Sequence, residues 1–152
     1  MKKHVYVVVI GFICLSGCSM QTAYKPSEIA TDDNPPGLKE AMAKKPRNID
    51  ENPLLTKGDQ MVDPETKEPY SGRIFGLHEG STMVEVESVL LNGKEHGINT
   101  YYGQDGSKSE TNKKEGKTHG VATQYYADGT KQAETNWKKG KQHGLAARFY
   151  PD

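Results

Sequence analysis

A short pattern recurs three times in the second half of the chain: Gly93-Lys94-Glu95-His96-Gly97, Gly116-Lys117-Thr118-His119-Gly120 and Gly140-Lys141-Gln142-His143-Gly144. The period is 23 residues and then 24. Self-similarity at so short a period means one supersecondary unit repeated along an axis, each unit burying its face only against its neighbours. Seven residues before each lysine stands a glutamate (Glu87, Glu110, Glu134), and Glu110-Thr111-Asn112 returns as Glu134-Thr135-Asn136. After each His-Gly comes an alternating segment that ends in two aromatics, at 98–102, 121–126 and 145–150.

Alternation assigns faces, because successive strand side chains point to opposite sides. Ile98, Thr100 and Tyr102 share one side, matched by Val121, Thr123 and Tyr125 and by Leu145, Ala147 and Phe149; Tyr101, Tyr126 and Tyr150 point the other way. Asn92-Gly93, Asp105-Gly106 and Asp128-Gly129 are pairs that accept the positive φ of tight turns, with Glu115-Gly116 and Lys139-Gly140 as weaker versions. The spacing predicts strands of about six to nine residues and an all-β fold. Each repeat is one hairpin, and consecutive hairpins extend a single-layer antiparallel sheet framed by Gly93, Gly97, Gly116, Gly120, Gly140 and Gly144. A hydrophobic content of 34%, much of it in the first 17 residues, leaves too little apolar matter for a thick core. Sixteen glycines, and eight tyrosines against three phenylalanines, suit polar strands with aromatic packing.

The amino terminus is a different object. A basic start, Met1-Lys2-Lys3-His4, precedes an apolar run over residues 5–15. Eleven helical residues span roughly 16 Å at ~1.5 Å each, about half of a bilayer's hydrocarbon core, so the run fits a signal-peptide core rather than a transmembrane helix. Leu15-Ser16-Gly17-Cys18 follows at once and resembles the bacterial lipobox. The resemblance implies cleavage between Gly17 and Cys18, with diacylglyceryl and palmitate chains on Cys18 and membrane anchoring by that lipid. Ser19 in place of an aspartate implies the outer membrane, facing the periplasm. Cys14 leaves with the signal, so the mature chain has no disulfide and no thiol nucleophile.

Residues 18–53 carry Pro26, Pro35, Pro36, Pro46 and Pro53 with few large apolar groups, and read as a disordered tether. Residues 37–44 could make two helical turns, marginal without a partner. Three segments result: signal peptide 1–17, lipidated cysteine and Pro-rich tether 18–53, and repeat domain 54–152.

Gly-Lys-x-His-Gly followed by Tyr-Tyr-x-Asp-Gly, as from Gly116 to Gly129, resembles the bacterial variant of the MORN repeat. Upstream, Lys67-Glu68-Pro69-Tyr70-Ser71-Gly72 resembles the opening repeat of the YwqK-type antitoxin family, with Gly72 as the first framing glycine. The resemblance implies about three and a half hairpin repeats from residue 54 onward, the last without its return strand. That open edge raises pairing into a dimer as an expectation. The lipoprotein signal separates the chain from a cytoplasmic antitoxin.

Twenty basic against 20 acidic side chains give no reason to expect nucleic acid, which needs a positive surface. His96, His119 and His143 occupy equivalent hairpin positions, about 9.5 Å apart at ~4.8 Å per strand, too far to converge on one metal; each is expected to pack beside its turn glycine. Glu87, Glu110 and Glu134 are spaced likewise and are expected to pair with lysines on neighbouring strands. No Gly-x-Ser-x-Gly elbow and no phosphate-cradling glycine loop occurs. The expectation is a non-catalytic protein, without a cofactor beyond the lipid on Cys18. Its exposed aromatics, Tyr101, Tyr126, Trp137 and Tyr150, are the candidates for contact with a protein partner. The partner suggested by the resemblance is a toxin met in the periplasm, as in immunity; the alternative is an envelope-structural role, holding peptidoglycan or lipid.

Overall fold

The computed structural model describes residues 35–150. The signal sequence, the lipobox with Cys18 and the first part of the expected tether lie outside the described residues, as do Pro151 and Asp152. One helix, α1 (Leu38–Ala43), precedes eleven strands: β1 (Arg47–Asn48), β2 (Leu55–Lys57), β3 (Gln60–Val62), β4 (Gly72–Leu77), β5 (Val84–Leu91), β6 (Lys94–Glu95), β7 (Gly97–Tyr102), β8 (Lys108–Lys114), β9 (Lys117–Tyr125), β10 (Lys131–Lys138) and β11 (Lys141–Arg148). Nine of them form one sheet in the order β1-β4-β5-β7-β8-β9-β10-β11, with β6 attached to β5, while β2 and β3 form a separate hairpin. From β4 onward every neighbour is antiparallel and follows chain order. The expected single sheet of consecutive hairpins is what the chain builds.

The repeat motif produces two kinds of turn. At Asn92-Gly93, Glu115-Gly116 and Lys139-Gly140 both residues have positive φ (51° and 78°, 53° and 76°, 50° and 78°), the type I′ geometry whose twist matches that of the flanking strands. Glutamate and lysine thus adopt the geometry of asparagine, held there by the pairing on both sides. At Asp105-Gly106 and Asp128-Gly129 only the glycine is left-handed. There the aspartate Oδ1 accepts the N–H of Ser107 or Thr130 (2.9 and 2.8 Å), and bonds from those two residues hold both carboxyls below the usual aspartate range. The second framing glycines, Gly97, Gly120 and Gly144, are also left-handed, at 77°, 94° and 83°. Gly120 and Gly144 lie where the register shifts, and Asn112 and Asn136 send their side-chain N–H to the carbonyls of Val121 and Leu145 just beyond. Gly72 has another role: a Cβ there would lie 2.7 Å from the Tyr70 hydroxyl, so its hydrogen admits the ring.

The sequence reading placed a disordered tether up to residue 53, and here the structure differs. Leu38 and Ala41 of α1 are buried against Val89, with Met42 and Leu91 packed beside them. After the helix the chain runs along β4. Arg47 and Asn48 pair in parallel with Ile74 and Phe75, the Ile49 N–H donates to the Phe75 carbonyl (2.9 Å), and Asp50 accepts the Leu77 N–H (2.7 Å). Arg47 also reaches Asp63 (2.5 Å) and stacks over Tyr70; that bond holds the Asp63 carboxyl below its ordinary range. A six-residue helix, marginal alone, is stable when Leu38 removes its side chain from water, worth roughly 1.5–3 kcal/mol.

Burial is one-sided along the sheet. Among the described residues the buried hydrophobic side chains are Leu38, Ala41, Val62, Ile74, Val89 and Leu90, all before the first repeat turn. Every residue of β11 is exposed. Leu38→Ala should therefore cost about 2–4 kcal/mol in urea unfolding and expose residues 44–53 to protease, whereas a true tether would show neither effect. Gly93 and Gly116 both have left-handed φ, but a Cβ at Gly93 would meet the Met61 carbonyl oxygen at 2.7 Å and one at Gly116 would meet nothing within 4 Å. Gly93→Ala should destabilise more than Gly116→Ala by at least about 1 kcal/mol, measured the same way.

Candidate functional site

The two faces of the repeat sheet differ in how they use the repeats. On one, a single row of directly opposed residues crosses seven strands: Phe75, Glu87, Thr100, Glu110, Thr123, Glu134 and Ala147. Tyr102 donates its hydroxyl to Glu87 (3.2 Å) and Tyr125 to Glu110 (3.1 Å). Lys108 bonds Glu110 on its own strand (2.8 Å) and sits 4.4 Å from the Tyr125 ring centroid. Lys131 closes on Glu134 of its own strand (2.7 Å). The lysines that pair with Glu110 and Glu134 are thus same-strand neighbours rather than the cross-strand ones expected; the cross-strand bonds to Glu87 and Glu110 come from tyrosine. Burial, and after it the nearby Glu110 carboxylate, raises the Tyr125 hydroxyl above the ordinary phenol range. This ladder face holds the fold together. Position by position the repeats nearly agree on it: Glu110 with Glu134, Asn112 with Asn136, Thr100 with Thr123, Tyr102 with Tyr125.

On the opposite face the rows read Tyr101, Ser109, Gln124, Ala133, Arg148, and beside it Asn99, Thr111, Ala122, Thr135, Ala146. Equivalent positions agree less here: Tyr101, Gln124 and Arg148 occupy one, Ser109 and Ala133 another, Lys113 and Trp137 a third. Thr111 recurs as Thr135, and Ala122 as Ala146 where Asn99 stands in the first repeat. Small side chains here leave an open hollow of about 470 Å³, lined among others by Ser109, Thr111, Ala122, Thr135, Trp137 and Arg148. Lys113 is engaged with Glu95 (3.2 Å), and the Asn99 side-chain amide donates to the same carboxylate. Trp137, at the position equivalent to Lys113, has no such carboxylate: two residues before its partner Gly120, where Glu95 precedes Gly97, stands Thr118.

The four aromatics proposed from the sequence do not form one patch. Trp137 lines the hollow. Tyr101 is on the same face and 49% exposed, but three strands and four residues away, about 20 Å at ~4.8 Å per strand and ~3.4 Å per residue. Tyr126 falls beyond the end of β9, and its hydroxyl donates to the Phe149 carbonyl (3.2 Å), tying the tip of one hairpin to the next. Tyr150 lies past the end of β11 and is exposed. The residues that sequence reasoning missed, Ser109, Thr111, Ala122, Thr135 and Arg148, are unremarkable one by one. Their signal is comparative and confined to two of them: Ser109 and Arg148 lie where the repeats differ, while Thr111, Thr135 and Ala122 recur.

His96 is buried, His119 Nδ1 accepts the Lys139 N–H at 3.4 Å, and His143 is exposed on β11. Among the described residues no group of three His, Cys, Asp or Glu side chains is placed to share a metal ion. Comparison with family models, with curated proteins and with solved structures found no match. The MORN and antitoxin resemblances therefore rest on their motifs alone.

A lysine at position 137 should be compatible with the sheet, since Lys113 occupies the equivalent site. Trp137→Lys should cost about 1 kcal/mol or less in urea unfolding, with the strand signal in circular dichroism retained.

Proposed function

We propose that this protein is an envelope lipoprotein, cut before Cys18 and held to a membrane by lipid on that cysteine, whose repeat sheet binds a protein partner through the hollow face bearing Trp137. The observation that carries the binding reading is the division of labour between faces. Nearly the same residues recur where strands must be held together, and recurrence lapses at Ser109, Gln124, Arg148 and Trp137 on a concave surface where the tryptophan is partly exposed. Tryptophan supplies large contact area at low entropic cost and is enriched where binding energy concentrates. Immunity is the narrower form of this reading: the partner is a toxin reaching the periplasm, as the antitoxin-like motif suggests. That step is an analogy of fold, and the site itself does not select it.

A second reading has its own support. The lining of the hollow combines the hydroxyl-bearing Ser109, Thr111, Thr118 and Thr135 with Trp137, a combination that also suits a glycan strand of the wall.

Cells fed radioactive palmitate should label the wild type and not Cys18→Ala; equal labelling would end the anchoring proposal. The product of the adjacent reading frame should be retained by the purified protein and lost with Trp137→Lys, and a deletion strain should be killed by its own kin. If instead a form lacking the signal sediments with purified sacculi, and Trp137→Lys does not, the glycan reading takes its place.

A further inference from the structure

The two ends of the sheet are finished differently. At β4 the edge is closed by β1, by the Ile49 N–H and by Asp50. At the other end, among the described residues, β11 is bonded to β10 alone. The Phe149 N–H donates inward to the Gln132 carbonyl (2.9 Å), so by antiparallel alternation Ala146 and Arg148 turn their N–H and C=O outward. Three of the chain's exposed large hydrophobics cluster here: Leu145 at 84%, Phe149 at 43% and Tyr150 at 76%. The counterparts of Leu145, Ile98 and Val121, are half-buried because β8 and β10 flank them. Natural edge strands are blunted by charge, proline or shortness. β11 is eight residues long, and its centre, Leu145-Ala146-Ala147, carries neither charge nor proline.

The chemistry that would suit a strand added at this edge can be read from the sheet itself. Twice, a strand of this kind is followed by one that sets a carboxylate against its central residue: Glu110 opposite Thr100 and Glu134 opposite Thr123. The same step places a carboxylate opposite Ala147. Electrostatics agree. Although the whole chain is balanced, residues 131–150 hold five basic side chains and one acidic, and that acid, Glu134, is already paired with Lys131. A second copy of β11 would add another Lys141 and Arg148, and no carboxylate, to this basic edge. We propose that the outer edge of β11 is a seat for an added strand: an extended, carboxylate-bearing segment of another protein, bonded antiparallel to Ala146 and Arg148. Backbone bonds supply the attraction in such strand addition and side chains the selectivity. The seat borders the hollow, whose lining includes Ala146 and Arg148, but it uses the outward backbone groups of those residues and makes no use of Trp137.

The test uses the full chain in detergent and an end-blocked, fluorescent peptide with the residue order of β8 in which all three lysines are replaced by glutamates. Saturable binding by anisotropy is expected, together with slowed hydrogen exchange at the amides of Ala146 and Arg148. The unaltered β8 peptide should bind at least tenfold more weakly. Ala146→Pro removes only an outward N–H, a place where an edge strand tolerates proline, and should abolish binding with the circular dichroism unchanged. Should that variant not fold, Arg148→Glu serves, and should erase the preference for the acidic peptide. Trp137→Lys should bind the peptide normally, so failure of the hollow and failure of the edge are separable. Equal affinity for both peptides, protection away from β11, or a concentration-dependent dimer that protects the same amides without peptide would each overturn the proposal.

Discussion

A single-layer sheet has no second layer to press against, so its strands must be held by what lies within the sheet. In this protein that is the row from Phe75 to Ala147, in which glutamate and threonine alternate across successive strands. Each exposed ion pair is worth at most about 1 kcal/mol and each cross-strand pair about 0.2–1 kcal/mol. No member is decisive; repetition makes the row cohere. Tyrosine suits the role because one side chain covers its neighbour with a ring and reaches the next strand's carboxylate with a hydroxyl.

The row does not begin unsupported. Helix α1 and the β2–β3 hairpin give the first strands a true, if small, core. The Met61 N–H donates to the Gly93 carbonyl and the Gly93 N–H to the Tyr70 carbonyl, both at 2.8 Å, clasping the first repeat turn between the hairpin and the chain leading into β4. Beyond β7 that support is absent, and exposure increases to the last strand. Local stability follows local burial and contact, so the gradient runs from a firm amino-terminal end to an adaptable carboxy-terminal one. The hollow and the open edge of β11 both lie at the adaptable end. Binding surfaces are commonly drawn from such regions, where ordering on contact costs the rest of the fold little.

The same gradient explains why the repeats diverge where they do. On the ladder face a substitution disturbs neighbours on both sides, and the glutamate, threonine and tyrosine recur. On the other face the side chains have little to hold together, and tyrosine, glutamine and arginine share one equivalent place while lysine and tryptophan share another. Phe149 in the place of Tyr102 and Tyr125 marks the limit of the ladder: it keeps the ring and drops the hydroxyl.

Much of this architecture was legible in the residues alone. The hairpin repeat, the two faces, the turn positions and the framing glycines follow from local rules, because a strand's period of two and a turn's demand for positive φ are properties of the backbone near each residue. What lay beyond local rules was decided by contacts distant in sequence. Residues 38–50 look like spacer until Val89 and the edge of β4 supply partners. Glu110 looks destined for a lysine on the next strand until register sets Tyr125 there and leaves Lys108 of its own strand as the ion partner. The four candidate aromatics look equivalent until register sends Trp137 to a hollow, Tyr126 to a hairpin tip and Tyr150 past the end of β11. Periodicity specifies which way a side chain points; only the assembled sheet, by bringing separate strands into register, decides what it meets there.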